Sequence, residues 1–187
     1  FHPGYKLDMR MNQNQNLDAI QVINNYSESE LSNLFYLNGD LKNSKKIAKI
    51  ICKERENKKI TMSNDLNYIL ETFFSVHTKN SFLARVYQSI RIEVNKELKF
   101  LKEILTQSKN LLSKNGIISV ITYHSAEDRL VKRFFKNGCF DQEPVKDEFG
   151  NFSKPFKLKF HFLKPKESEL KFNTRSRSAK LRSAIKL

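Results

Sequence analysis

NGIISVITYHSAEDRLVKRFF, residues 115–135, decides how this chain reads. An Asn-Gly stop precedes an apolar, β-branched run, IISVIT (117–122), whose composition predicts a strand buried on both faces. Ala126 to Phe135 then follows helical periodicity, with Leu130, Val131, Phe134 and Phe135 inward. Ser125 reads as the N-cap of that helix, with Asp128 closing the box three residues on. Glu127 and Asp128 also suit the positive end of a helix. Structural need therefore accounts for Ser125 and Asp128, but it does not account for Tyr123 or His124. In open α/β sheets ligands bind beyond the carboxyl ends of strands, which is where Tyr123, His124 and Glu127 fall. A histidine there can donate, accept or stack, and a carboxylate can take a proton or hold an exocyclic amine. Serine, histidine and acid in immediate succession do not make a hydrolytic triad, which needs a relay geometry.

Upstream, NKELKFLKEILTQSKNLLSKNG (95–116) predicts a helix carrying Leu98, Leu101, Leu105, Ser108 and Leu112 on one side. Asn115 and Gly116 would supply its left-handed stop. Downstream, FKLKFHF (156–162) alternates with four apolar residues on one face, a second predicted strand. Helix, buried strand, helix and further strand is the tail of an α/β sheet domain. Two strands cannot make a doubly wound domain, so most of that sheet is expected outside this chain. The opening FHPGYKLDMRM reads as a loop already under way, so a fragment or a processed product is expected.

Residues 17–94 are expected to be mostly helical. SESE (27–30) is a capping box, followed by the apolar face of Leu31, Leu34 and Phe35. A helix from about Ser44 to Arg55 would bury Ile47, Ile50 and Ile51. Another beginning near Ser63 would bury Leu66, Ile69, Leu70 and Phe73, and one from about Ser81 would bury Phe82, Val86 and Ile90.

The 187 residues, 39% hydrophobic with fifteen Phe, suffice for a real core in one or two domains and argue against disorder. No apolar run approaches the roughly eighteen residues of a membrane span, and no signal-peptide pattern is present. A soluble, cytoplasmic protein is expected. Cys52 and Cys139 fit no zinc spacing and read as plain thiols in a reducing compartment. His2, His77, His124 and His161 are too scattered for a metal site, so none is expected. The formal charge is +14, and residues 154–187 alone hold eleven Lys or Arg against Glu167 and Glu169, or +9. That asymmetry suits a polyanion such as RNA. Lysine outnumbers arginine 25 to 9, so compositional drift towards lysine is the competing explanation.

Three further stretches could carry chemistry. In LDMRM (7–11), Asp8 and Arg10 flank a methionine, on one side if the segment is extended. The bland alternative is a solvated pair with Met9 and Met11 filling gaps. In RVYQSIRIEVN (85–95), Arg85, Gln88 and Arg91 make a polar line, or simply the wet face of an amphipathic helix. In NTRSRSAKLR (173–182), Arg175, Arg177, Lys180 and Arg182 could grip phosphates, against a flexible basic end or a segment packed on the sheet.

The ordered series LDMRM, VINNYSESEL, YQSIRIEVNKEL, YHSAEDRLVKRFF and TRSRSAKLR resembles the bacterial-type 16S ribosomal RNA cytosine-N4 methyltransferase family (RsmH, also called MraW), across essentially the whole chain. The resemblance implies transfer of a methyl group from S-adenosylmethionine to the exocyclic amine of a cytidine in small-subunit ribosomal RNA. It implies the C-terminal part of a Rossmann-like methyltransferase domain, interrupted by an all-helical substrate-recognition insertion at about 17–90. Residues 1–16 and 91–187 would belong to the catalytic domain. Tyr123 and His124 would lie near the cytosine, with Asp8 or Glu127 on its amine. Arg10, Arg85, Gln88 and Arg91, with the basic end, would meet the RNA or brace a domain junction. Oligomeric state stays open, a dimer being one option.

The chain departs from the family pattern in several places. Its five glycines are dispersed, so the family's GGH loop and DxGxSS segment are not in it. The chain alone is therefore expected to be inactive and to bind S-adenosylmethionine weakly or not at all; micromolar binding by calorimetry would contradict this. Thr122, Tyr123 and Ala126 replace Ser, Phe and Leu of the usual SFHSLEDR, Asn12 follows MRM, and Thr174 stands for a proline. The alternative function is a non-catalytic RNA-binding protein or an isolated substrate-recognition fragment.

Overall fold

The computed structural model describes residues 4–140, 148–149 and 154–187; His2 and Gly150 lie outside them. It is a mixed helix and sheet structure whose chain divides into two compact units, Phe1–Glu97 and Leu98–Leu187.

The first unit is helical: α1 (Ala19–Asn25), α2 (Glu28–Gly39), α3 (Ser44–Asn57), α4 (Ser63–Ile69) and α5 (Lys79–Val94). Asp18 caps α1 with Gln21 reaching back. Ser27 caps α2 as its sequence predicts, accepting from the Glu30 amide at 3.2 Å while the Glu30 carboxylate accepts from the Ser27 amide at 2.7 Å. Leu31 and Phe35 of α2, Ile47 and Ile51 of α3, and Val86 and Ile90 of α5 are fully buried in one core. Leu66 and Leu70 join them, whereas Ile50, Ile69 and Phe73 only pack against its edge. α2 and α5 approach closely at Gly39, where a side chain's Cβ would stand 3.0 Å from the Arg85 carbonyl. The LDMRM segment is tied to the same unit, since Leu7 is 2% exposed and its amide donates to the Thr61 carbonyl at 2.9 Å.

The second unit contains α6 (Glu97–Leu111, whose first residue belongs to the first unit), β1 (Ile117–Thr122), α7 (Ser125–Asn137), β2 (Phe156–Leu158), α8 (Glu167–Phe172) and β3 (Lys180–Lys186). The sheet is antiparallel with β3 in the middle, in the order β1-β3-β2. Leu105 of α6 and Val131, Phe134 and Phe135 of α7 pack with Phe156 and Ala184 of the sheet. Both helices therefore cover the face on which Ile118 and Val120 sit, which gives the unit its only apolar cluster among the described residues.

Three sequence expectations and one of the alternatives need correction here. β1 is not buried on both faces: Ile117 and Ile121 are 50% and 58% exposed, because α6 and α7 line only the alternate residues. An apolar run reports strand propensity and is silent about which face receives a neighbour. FKLKFHF is a strand for only three residues. Beyond Leu158 the chain returns to β3 through the Lys159 amide on the Ser183 carbonyl and a bridge at Leu163 to Leu181. The basic end is no flexible tail, since Thr174–Ser178 winds into a 3-10 helix and Lys180–Lys186 is the central strand. At the end of α6, Asn115 alone takes the left-handed conformation, with φ 67°. Gly116 is required instead for close approach, because a Cβ there would meet the Ser113 carbonyl at 2.8 Å. No helix among the described residues is long and apolar enough to cross a membrane.

Candidate functional site

β1 ends at buried Thr122, and the chain then exposes Tyr123, whose ring is part of a residue 54% open to solvent. His124 is extended at φ −140°, ψ 166°, and it, not Ser125, is the N-cap of α7. Its Nδ1 accepts from the Glu127 amide at 3.3 Å. Glu127 Oε2 in return accepts from the Tyr123 amide at 2.8 Å and the His124 amide at 3.4 Å. Glu127 Oε1 lies 3.4 Å from His124 Nε2, and the imidazole is only 7% exposed. The expected Ser125–Asp128 box is thus displaced by one residue, to His124 and Glu127. Oxygen caps dominate helix N-termini, so a serine beside a histidine draws the assignment; a neutral imidazole nitrogen can accept the same bond. The cap contribution moves with it: His124→Ala should cost about 1 kcal/mol by loss of the cap. His124→Asn should restore most of that in a thermal melt.

Asp128, released from capping, faces β3. Arg182 Nε donates to Oδ1 at 2.7 Å and its Nη2 to Oδ2 at 3.1 Å, a bidentate pair, and Lys180 Nζ adds a bond to Oδ2 at 3.0 Å. The third edge of the guanidinium donates to the His161 carbonyl at 2.7 Å, and its plane lies over Phe162. Burial pushes the Asp128 carboxyl up, but the hydrogen bonds from Arg182 and Lys180 outweigh it and hold the group below its ordinary value. YHSAED and RSRSAKLR are therefore bolted together through Asp128, whose partners Lys180 and Arg182 lie 52 and 54 residues further along the chain. Arg182 is 2% exposed, so its charge is spent inside the unit, as is much of that of Lys180. Arg175 and Arg177 are exposed on the 3-10 helix.

In the first unit, Asp8 and Arg10 form a second bidentate pair, with Nε to Oδ1 and Nη2 to Oδ2 both at 2.8 Å. Arg10 Nη1 also donates to the Gln13 and Gln15 carbonyls at 3.1 and 2.9 Å, which curls the NQNQN loop around it. The Arg10 hydrogen bond holds the Asp8 carboxyl down at about 2. Met9 between them is left-handed, φ 63°. That costs a non-glycine residue energy and calls for an anchor. The anchor is Asn95, whose side chain donates to the Met9 carbonyl at 2.9 Å and accepts from the Met11 amide at 2.8 Å. Sequence reading did not select Asn95; its one signal was an asparagine closing a long amphipathic helix. Met9 packs against the core, while Met11 is 72% exposed and fills no gap.

The α5 line is only partly surface. Arg85 Nη1 and Gln88 Nε2 reach the Asp40 and Asn38 carbonyls, both at 3.4 Å, satisfying the end of α2. Arg91 pairs with Glu97, Nε to Oε1 at 2.8 Å. The candidates thus gather as Asp8 with Arg10 in one unit, and Tyr123, His124 and Glu127 in the other.

The resemblance implies a methyl donor, which some part of the site would have to hold. The four described glycines offer no backbone cradle: Gly39 and Gly116 abut carbonyls, Gly138 abuts Pro155, and Gly4 lies in a turn beside Asn64. The groove between α2 and α3 in the first unit is lined by Lys42, Lys45 and Lys46, the wrong charge for a sulfonium. The described residues therefore do not fit S-adenosylmethionine.

A helical unit and a second unit built on a helix-covered sheet make this a mixed α/β chain. Comparison with known proteins narrows this: the MraW methylase family model matches residues 1–187, and the chain belongs to that family. It is 49% identical over 182 residues to a ribosomal RNA small subunit methyltransferase H of Christiangramia forsetii, covering 97% of this chain and 60% of that protein. The proteins of the same description from Flavobacterium johnsoniae and Flavobacterium psychrophilum are 46% and 49% identical. They are covered over 60% and 62% of their length by 97% of this chain. The chain thus spans about three fifths of the length of these curated relatives.

Proposed function

We propose that this chain is the acceptor-side portion of a cytoplasmic enzyme that methylates the exocyclic N4 amine of a cytidine in small-subunit ribosomal RNA, with S-adenosylmethionine as donor. The relatives' described activity supports the reaction and its RNA substrate. The β1 edge away from β3 supports a larger, Rossmann-like sheet with β1 flanked by further strands in the intact protein, and the exposed Ile117 and Ile121 support a further layer over the other face. On this reading 17–90 is a helical insertion, and 1–16 and 91–187 belong to the catalytic domain.

Amine methylation is an in-line displacement requiring a near-attack approach of about 3–3.5 Å. The cytosine amine is a weak nucleophile because its lone pair is delocalised into the ring, so orientation of the base matters most. The single observation that carries this reading is the exposed Tyr123, whose backbone amide is held at the strand exit by Glu127. Stacking on it would receive a base splayed out of its helix. His124 and Glu127 serve as positioning residues for that ring, since both are committed to the turn. Asp8, ionised and aligned by Arg10, accepts a hydrogen bond from the amine and stabilises the positive charge that develops on nitrogen. A carboxyl held at about 2 is too weak a base to remove a proton near neutrality, so the proton leaves to solvent after transfer. Arg10, Arg85, Gln88 and Arg91 help hold the loops that frame the RNA. Among the basic residues of the C-terminal segment, Arg175 and Arg177 reach its phosphates, whereas Arg182 and much of Lys180 serve the fold through Asp128.

The test is methylation of small ribosomal subunits by the intact protein, followed by nucleoside mass spectrometry. Tyr123→Phe should retain turnover and Tyr123→Ala should lose about tenfold to a hundredfold, in line with stacking worth roughly 1–3 kcal/mol per base. Equal activity of the two variants would remove Tyr123 from the site. A protein that binds RNA without methylating it would be the non-catalytic alternative.

A further inference from the structure

We infer that the exposed face of α3, with the groove between it and α2, is a binding surface for single-stranded RNA. This rests on the proposed RNA substrate and adds a surface remote in sequence from the residues discussed so far. Residues 41–59 carry eight Lys or Arg against Glu54 and Glu56, giving +6 of the chain's +14. Lys45, Lys49 and Lys53 recur every four residues, so their charges repeat about every 6 Å along one side of the helix. Lys42 and Lys46 flank them, and all five are exposed. Among the described residues none of the five makes an ion pair or a side-chain hydrogen bond.

The groove beside this row has a volume of about 420 Å³ and no carboxylate in its lining. Its lining includes neutral, polar groups: the Ser32 and Ser44 hydroxyls, 3.3 Å apart, and the side chains of Asn33 and Asn43. Tyr36 stands on its rim, 59% exposed. A row of cations beside neutral donors and an open aromatic ring is the chemistry of a nucleotide strand, with phosphates on lysines and bases stacked or hydrogen-bonded. An anionic membrane would need apolar residues to insert. The apolar side of α3, Ile47, Ala48 and Ile51, is already inside the core.

The experiment titrates a labelled, unstructured twelve-nucleotide RNA with the intact protein across a salt series. It compares Lys45→Gln/Lys49→Gln/Lys53→Gln, Tyr36→Ala and Arg175→Gln/Arg177→Gln. The lysine variant should weaken binding by about tenfold or more at low salt and flatten the salt slope by about 0.7 per lost contact, roughly 2 in all. Tyr36→Ala should weaken binding with the slope unchanged. Since all four side chains are exposed, melting temperatures should stay at the parent's. A folded lysine variant with the parent's slope overturns the inference; if the arginine variant then flattens the slope, the proposed RNA substrate survives without this surface. Loss of binding to phosphatidylserine vesicles with RNA binding intact also overturns it. A parent protein that binds no RNA ends both readings.

Discussion

Asp128→Ala should destabilise the second unit by about 3–5 kcal/mol, because it leaves the Arg182 guanidinium buried without its counter-charge. Deleting one member of a buried pair costs far more than the pair contributes, since the remaining ion cannot be rehydrated. Asp128→Leu combined with Arg182→Met should cost much less than Asp128→Ala alone, a coupling that a double-mutant cycle reads directly. The pH dependence has a definite sign. The folded-state carboxyl lies below its ordinary value, so its stabilisation is complete above the unfolded carboxylate range and is lost as pH falls through the folded value. Denaturant melts from pH 7 down to about 2 should therefore converge for the wild type and Asp128→Ala at the acid end. A penalty under about 1 kcal/mol at neutral pH would mean that Arg182 finds another acceptor.

Asp8→Asn should lower kcat about a hundredfold or more on the proposed reading, comparable to removal of a charged group that acts only in the transition state. The wild-type rate should carry no titration from this residue between pH 5 and 9, because its carboxyl is held at about 2 by Arg10. Its share of stability is likewise full above the usual 3.8 and disappears as pH falls towards 2. Asn95→Ala separates positioning from chemistry in the same loop. It frees the left-handed Met9 segment while leaving Asp8 in place, so it should raise KM or lower kcat with no change in the pH profile. An Asp8→Asn enzyme with wild-type kcat would remove the amine contact from the mechanism.

Much of the helical unit was legible because its signals are local. Ser27 and Glu30 are three residues apart, and a capping box needs nothing else. Phe82, Val86 and Ile90 recur at helical spacing and all are buried. The five ordered blocks carried the family resemblance, and the family model matches residues 1–187. Misreadings arose where a residue had two adequate local partners. Ser125 and His124 could each cap α7, and the choice depended on where β1 stops and on Glu127 folding back to the Tyr123 amide.

What the sequence determined by itself is the order and kind of elements, the capping and periodicity that start and stop most helices, the charge asymmetry and the family. Each depends on neighbours within a few residues, or on a pattern preserved along the chain. Tertiary structure alone decided what the charged residues are for. Arg175 and Arg182 look alike in TRSRSAKLR, yet one is exposed and the other is buried against Asp128, because β3 enters the sheet between them. Asp8 is similarly an acid in a polar loop until Arg10 and the Asn95 clamp close around it. Burial and pairing are set by residues far away in sequence, and they determine whether a charge is spent within the fold or remains for a ligand.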